Sequence, residues 1–116
     1  MNGGVSIHVV DVASGKVAQG LRVTVRRWNG ELVCSSRIAA NGALIELSDL
    51  AESFSTGVYE VQLEVAAFYR EQGTALPEVP FLDVLIYRFG LDDVCQHYHL
   101  PFKLTAWGVS CFRGGA

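Results

Sequence analysis

A chain of 116 residues, half of them hydrophobic and 18% charged, is long enough for one domain with a packed core and too short for paired cofactor and substrate domains. Its formal charge of −3, without a block of Lys or Arg, leaves no electrostatic footprint for nucleic acid or an anionic membrane, and no apolar run reaches the length of a membrane span. Cys34, Cys95 and Cys111 form an odd set with no CxxC pair, which suits reduced thiols and builds no zinc knuckle. Met1-Asn2-Gly3-Gly4 lacks the basic and apolar regions of a signal peptide, so the expected location is cytoplasmic. So apolar a composition also predicts surface hidden between subunits.

Gly and Asn punctuate the chain at short intervals, and the pieces between them alternate in polarity with a period of two, the pattern of β-strands. Ile7, Val9 and Asp11 share one strand face and Ser6, His8 and Val10 the other, before a Ser14-Gly15 turn. Leu21, Val23 and Val25 mark a second strand, and Trp28-Asn29-Gly30 turns it into Leu32 to Cys34. Asn41-Gly42 is a further turn, and a polar stretch runs from Ser48 to Thr56. Tyr59, Val61, Leu63 and Val65 then alternate with polar neighbours as a half-buried antiparallel strand, and Ala66 to Gln72 fits one short helix.

A Pro-containing loop, Gly73 to Pro80, leads to an apolar strand from Phe81 to Phe89 closed by Gly90 and Asp92-Asp93. Between His97 and Thr105 a core face of Tyr98, Leu100, Phe102 and Leu104 opposes His97, His99, Pro101, Lys103 and Thr105. Pro101 lacks a backbone donor and predicts an edge or irregular position. Trp107 to Arg113 predicts a last short strand, with Ser110 and Phe112 on one face. The sum is a mainly β single domain over residues 1–116, a two-sheet β-sandwich of about eight strands with one short helix.

No P-loop, GxGxxG, GxSxG elbow or HExxH is present, so the mechanisms those motifs serve have no support. Histidine remains. His97 and His99 share a strand face, where two imidazoles suit either metal binding or acid–base work near neutral pH; an isolated HxH on a strand is more often decorative, and a metal would need His8 as its third ligand. Lys103, between Phe102 and Leu104, is either an edge lysine facing water or a lysine facing an enclosed cavity, where desolvation suits it to be a proton donor, anion anchor or nucleophile. Arg22, Arg26, Arg27 and Arg70 read most simply as surface charges, Arg113 as a solvated terminus, and Cys111 as a small buried residue.

Ser6-Ile7-His8-Val9-Val10-Asp11, Ala18-Gln19-Gly20-Leu21, His97-Tyr98-His99-Leu100-Pro101 and the ending Trp107-Gly108 to Phe112-Arg113-Gly114 together resemble the transthyretin-related proteins, whose enzymatic members are 5-hydroxyisourate hydrolases of purine catabolism. The resemblance spans nearly the whole chain. It implies a transthyretin-like sandwich that pairs into dimers and then a homotetramer around a channel, with cofactor-free and metal-free ring opening in that channel. It carries the two family histidines onto His8 and His99, where they orient and deprotonate water and handle the ring proton. Candidate substrate contacts are His97, Ser110, Phe112 and Arg113.

Departures from the family pattern point to altered chemistry. Where the hydrolases read T-x-A-D-G-R, this chain has Ile38-Ala39-Ala40-Asn41-Gly42-Ala43, so the family's catalytic arginine is Ala43. The closing Y-R-G-S is Phe112-Arg113-Gly114-Gly115, and the middle of the family's L-L-L run is Lys103, which alternation with His99 aims at the channel. Arg37, six residues before Ala43, is the nearest substitute, though a surface role is the simpler reading. Loss of one oxyanion-type donor lowers a rate on the order of 10² to 10³. Three functions follow: a divergent enzyme acting on a small polar heterocycle or lactam through His8, His99 and Lys103, a residual 5-hydroxyisourate hydrolase, or a non-catalytic small-molecule carrier.

Overall fold

The computed structural model describes residues 3–115. Strands β1 (Val5–Asp11), β2 (Lys16–Val17), β7 (Tyr98–Leu104) and β8 (Val109–Ser110) form one sheet, in the order β2-β1-β7-β8. Strands β3 (Arg22–Arg27), β4 (Leu32–Arg37), β5 (Gly57–Glu64) and β6 (Val84–Leu91) form the other, in the order β4-β3-β5-β6. Among the described residues the one α-helix, α1 (Val65–Glu71), leaves β5 directly, and two 3-10 turns, Ile45–Asp49 and Ala51–Ser53, occupy the polar stretch before β5.

Period-two patterning decides which faces meet. Val5, Ile7 and Val9 of β1 and Tyr98, Leu100, Phe102 and Leu104 of β7 point inward against Val23, Val25, Tyr59, Val61 and Leu63 of the second sheet, all buried. The outer face of the first sheet therefore receives Ser6, His8 and Val10 from β1 and His99, Pro101 and Lys103 from β7. Strand β1 pairs in parallel with β7, with Ser6 opposite His99, His8 opposite Pro101 and Val10 opposite Lys103. A parallel pair needs a long crossover, and here the whole second sheet supplies it.

Several boundaries differ from the sequence reading. Strand β6 starts at Val84 instead of Phe81 and runs through Gly90 to Leu91, because β5 pairs with it over the full length. Regular pairing after Trp107 is confined to Val109–Ser110, so the last strand is two residues long. Pro101 sits in an inner strand, not at an edge. Gly114 N–H donates to His99 O at 2.7 Å, and alternation then turns the backbone of residue 101 toward the same side, away from β1. Its missing N–H falls between the Gly114 bridge and the Lys103–Ser110 pair, where no partner strand lies. Val65 begins the helix instead of ending β5, with its N–H and that of Ala66 donating to Asp83 O.

Arg27 is more than a surface charge. It donates to Tyr59 Oη at 2.7 Å, to Ser55 Oγ and to Ser53 O, tying the turn before β5 to β3. Arg70 donates to the carbonyls of Pro77 and Glu78 and so holds the loop after the helix. Cys111 is half-buried against the core, and burial raises its thiol pKa.

Tyr69 fastens α1 to the end of β1, its hydroxyl donating to Asp11 Oδ1 at 2.7 Å. Burial and the adjacent carboxylate push the phenol pKa far up. Burial alone would raise Asp11, but the bonds from Tyr69, Ser14 and Ala13 outweigh it and hold the carboxyl below its usual value. Replacing Tyr69 by Phe is expected to destabilise the fold by about 1 to 2 kcal/mol, read as a lower urea midpoint at unchanged slope; an unaltered midpoint would show the contact to be idle.

Candidate active site

The outer face of the first sheet concentrates all three histidines of the chain. Ser6 lies at the centre of one group: its Oγ is 2.8 Å from His97 Nε2 and 2.7 Å from His99 Nδ1. On the far side of His97, Nδ1 is 3.2 Å from Gly3 O. His8 is held separately, with Nε2 3.0 Å from Asn41 O. A carbonyl only accepts, so His8 carries its proton on Nε2 and keeps the Nδ1 lone pair free when neutral.

Two glycines let the backbone press against these rings. The turn at residues 41–43 lies along the free edge of β1, with Val9 N–H donating to Gly42 O and Leu44 N–H to Ile7 O. Gly42 has φ +86°, and a Cβ there would run into His8 Nε2 and Val17 Cγ1. Gly114 bridges to His99, and a Cβ on it would stand 2.8 Å from His99 Cδ2. Any larger residue at either position displaces an imidazole.

Ala43 is the bridge partner of His8, so the position where the resemblance implies an arginine lies directly beside that ring. Arg37 does not fill the gap. It donates to Gly20 O at 2.9 Å, lies 3.8 Å from Glu71, and belongs to the opposite sheet. Arg113 bends back over the Tyr98 ring at 3.9 Å and donates to Gln96 Oε1 at 2.8 Å, close to the His97 carbonyl.

Lys103 is brought to the same face but not into the histidine group. Four steps along the strand separate it from His99, about 13 Å. It is exposed in the single chain, has its amine 5.9 Å from the centre of the Phe112 ring, and pairs through its backbone with Ser110. Among the described residues its amine makes neither a hydrogen bond nor an ion pair. No three His, Cys, Asp or Glu side chains converge as a metal-binding group among the described residues.

Ser6 is the participant that sequence reasoning missed. Alternation puts it on the face of His8, but only the parallel register with β7 places it opposite His99. Gly42 and Gly114 were visible as a turn and as part of a motif, not as ring supports.

Partial burial lowers the His99 pKa, and the charges of His8 and His97 lower it further. The ring is thus neutral at pH 7 and presents a lone pair for proton abstraction. What the face can do chemically is take a proton from water and return it to a leaving nitrogen.

Two four-stranded sheets in this strand order form a sandwich of the transthyretin class of fold. The chain matches the HIUase/Transthyretin family over residues 5–114 and belongs to it. It is 36% identical over 118 residues to 5-hydroxyisourate hydrolase of Deinococcus radiodurans, covering 96% of this chain and 95% of that one. It is 32% identical over 120 residues to 5-hydroxyisourate hydrolase 2 of Rhizobium meliloti, with 97% of both chains covered. Among solved structures, (S)-allantoin synthase superposes with a TM-score of 0.87 at 27% identity, over 97% of this chain and 44% of that chain. Sea bream transthyretin in complex with thyroxine gives 0.83 at 20% identity, over 97% and 95%, a likeness of fold.

His99 is expected to titrate below the ordinary 6.5 in ring NMR, and His8→Gln is expected to move it part of the way back, since burial is the larger cause. The unfolded chain protonates this ring first as pH falls below 6.5, so the ring withdraws stability on the acid side of 6.5 and has no such effect above it. An unshifted His99 in the wild type would contradict both statements.

Proposed function

We propose that this chain is a cofactor-free hydrolase that opens small cyclic amides of the 5-hydroxyisourate class, with His99 as general base and His8 as the second imidazole at the reacting centre. The observation carrying this reading is the placement of both histidines on one face, each pinned by a glycine, in a chain 32% to 36% identical to enzymes named as 5-hydroxyisourate hydrolases. Water loses a proton to His99 as it adds to the amide carbonyl, and the proton returns to the ring nitrogen as the C–N bond breaks. His97, Ser110, Phe112 and Arg113 are the candidate substrate contacts.

Ala43 beside His8 supports a preference different from that of an arginine-bearing hydrolase. An oxyanion or anionic edge there meets a methyl group instead of a guanidinium, so the preferred heterocycle carries less charge on that edge, and 5-hydroxyisourate is opened slowly. Lys103 supplies positive charge further along the face as an anion anchor or proton donor.

A single chain gives this face only one wall. The assembly that encloses it is a homotetramer, a dimer of dimers, with Lys103 of neighbouring copies approaching across the channel. Light scattering at micromolar concentration is expected to return four chain masses; a lone subunit would remove the channel.

Freshly generated 5-hydroxyisourate, followed by ultraviolet absorbance, tests the activity. Ala43→Arg is expected to raise its kcat/KM on the order of 10²-fold over the wild type, and His99→Asn to abolish turnover in both backgrounds. If neither hydroxyisourate nor a panel of uncharged lactams and hydantoins shows His99-dependent opening, the hydrolase reading fails and small-molecule carriage takes its place.

A further inference from the structure

We propose that Ser6 is a positioning residue that sets the protonation pattern of both neighbouring imidazoles and relays a proton between them. The inference deepens the hydrolase reading and rests on it for its catalytic meaning, but the arrangement itself follows from hydrogen-bond donor counting.

The count starts at Gly3. Its carbonyl only accepts, so His97 Nδ1 must be the protonated nitrogen. In the neutral ring His97 Nε2 then holds a lone pair and accepts from the Ser6 hydroxyl at 2.8 Å. A hydroxyl has one proton. Having given it to His97, Ser6 Oγ accepts from His99, so the proton of His99 is on Nδ1, 2.7 Å away. His99 Nε2 is left as the bare nitrogen. A backbone carbonyl at residue 3 thereby decides, through one serine, which nitrogen of His99 is basic.

The same chain runs in reverse when a proton arrives. Uptake at His99 Nε2 makes that ring cationic; its Nδ1 proton passes to Ser6 Oγ as the serine's own proton passes to His97 Nε2. One proton has entered, His97 is the cation, and His99 is neutral with N–H on Nε2. His97 Nε2–H now donates to Ser6, and Ser6 donates to His99 Nδ1. Release of the Nε2 proton to a leaving group, as the His97 Nε2 proton returns to Ser6 Oγ and the serine's proton returns to His99 Nδ1, restores the first state, so no proton is gained or lost over the cycle.

The positive charge thus moves one residue away from the reacting centre, toward the cleft that His97 and Ser6 line with Gly3, Gly4, Ala43 and Leu44. The other titratable or charged groups on the elements around His99 are His8 and Asp11 on β1, Tyr98 and Lys103 on β7, and Arg113 beyond β8. None of these bonds to Ser6, so the serine is the link between the two rings.

Long-range proton–nitrogen NMR of the histidine rings at pH 7.5, without any ligand, tests the pattern. In the wild type both His97 and His99 are expected as single Nδ1–H tautomers. Ser6→Ala is expected to leave His99 as a mixture of both tautomers at unchanged backbone shifts, and Ser6→Thr to restore the single form. For ring opening, Ser6→Ala is expected to lower kcat about 10²-fold with little change in KM, and Ser6→Thr to recover most of it. An Nε2–H tautomer at His99 in the wild type, or a His99 tautomer unmoved by Ser6→Ala, overturns the proposal. Because the wild-type spectrum needs neither a variant that folds nor a substrate, a correct tautomer pattern alongside absent turnover would reject the hydrolase reading and keep the relay.

Discussion

Parallel pairing between β1 and β7 is the constraint from which the rest of the molecule follows. It joins the first strand of the chain to the last long one, and its register alone sets Ser6 beside His99 and His8 beside Pro101. A one-residue slip would turn Val5, Ile7 and Val9 outward and bury His8, so the apolar inner face locks the histidine-bearing outer face. The site is therefore as strongly specified as the core behind it.

The outer face works by subtraction as well as by supply. Gly42 and Gly114 have no side chains, which is why the turn before the first 3-10 segment and the C-terminal segment can lie against His8 and His99. Carbonyls at residues 3 and 41 each take one ring proton. Backbone groups, which cannot titrate, thus determine where the titratable rings keep their lone pairs. Ala43 extends the same logic in the other direction: the backbone bridge to His8 is kept, and the side chain beside that ring is reduced to a methyl.

Much of the architecture was legible because alternation with a period of two is hard to mistake. Tyr98, Leu100, Phe102 and Leu104 announced their face, as did Val23 and Val25, and the turns at Gly15, Gly30 and Gly42 stand where positive φ requires them. Pro101 signalled an edge or irregular position, and the irregular one is found: its missing donor faces a gap between two C-terminal bridges in an inner strand, a gap that no local pattern reveals. His8 and His99 were singled out through their motif, whereas Ser6, an ordinary polar residue on an alternating strand, acquires its place only from a partner more than ninety positions away. Alternation placed Lys103 on the face of His99, as found, but left open whether it faces water or an enclosed cavity; its distance from the histidines came from the strand rise.

The outer face of the β2-β1-β7-β8 sheet is, on the proposed function, the surface that meets the heterocycle. Urate shares the bicyclic skeleton and amide edges of hydroxyisourate, and titrating it into isotope-labelled protein reports directly on where such a ring docks. The account predicts shift changes at Ser6, His8, Ala43 and His99, with the α1 helix and the β3–β4 hairpin unmoved. Changes confined to the second sheet or the helix, with the histidine rings silent, would contradict it.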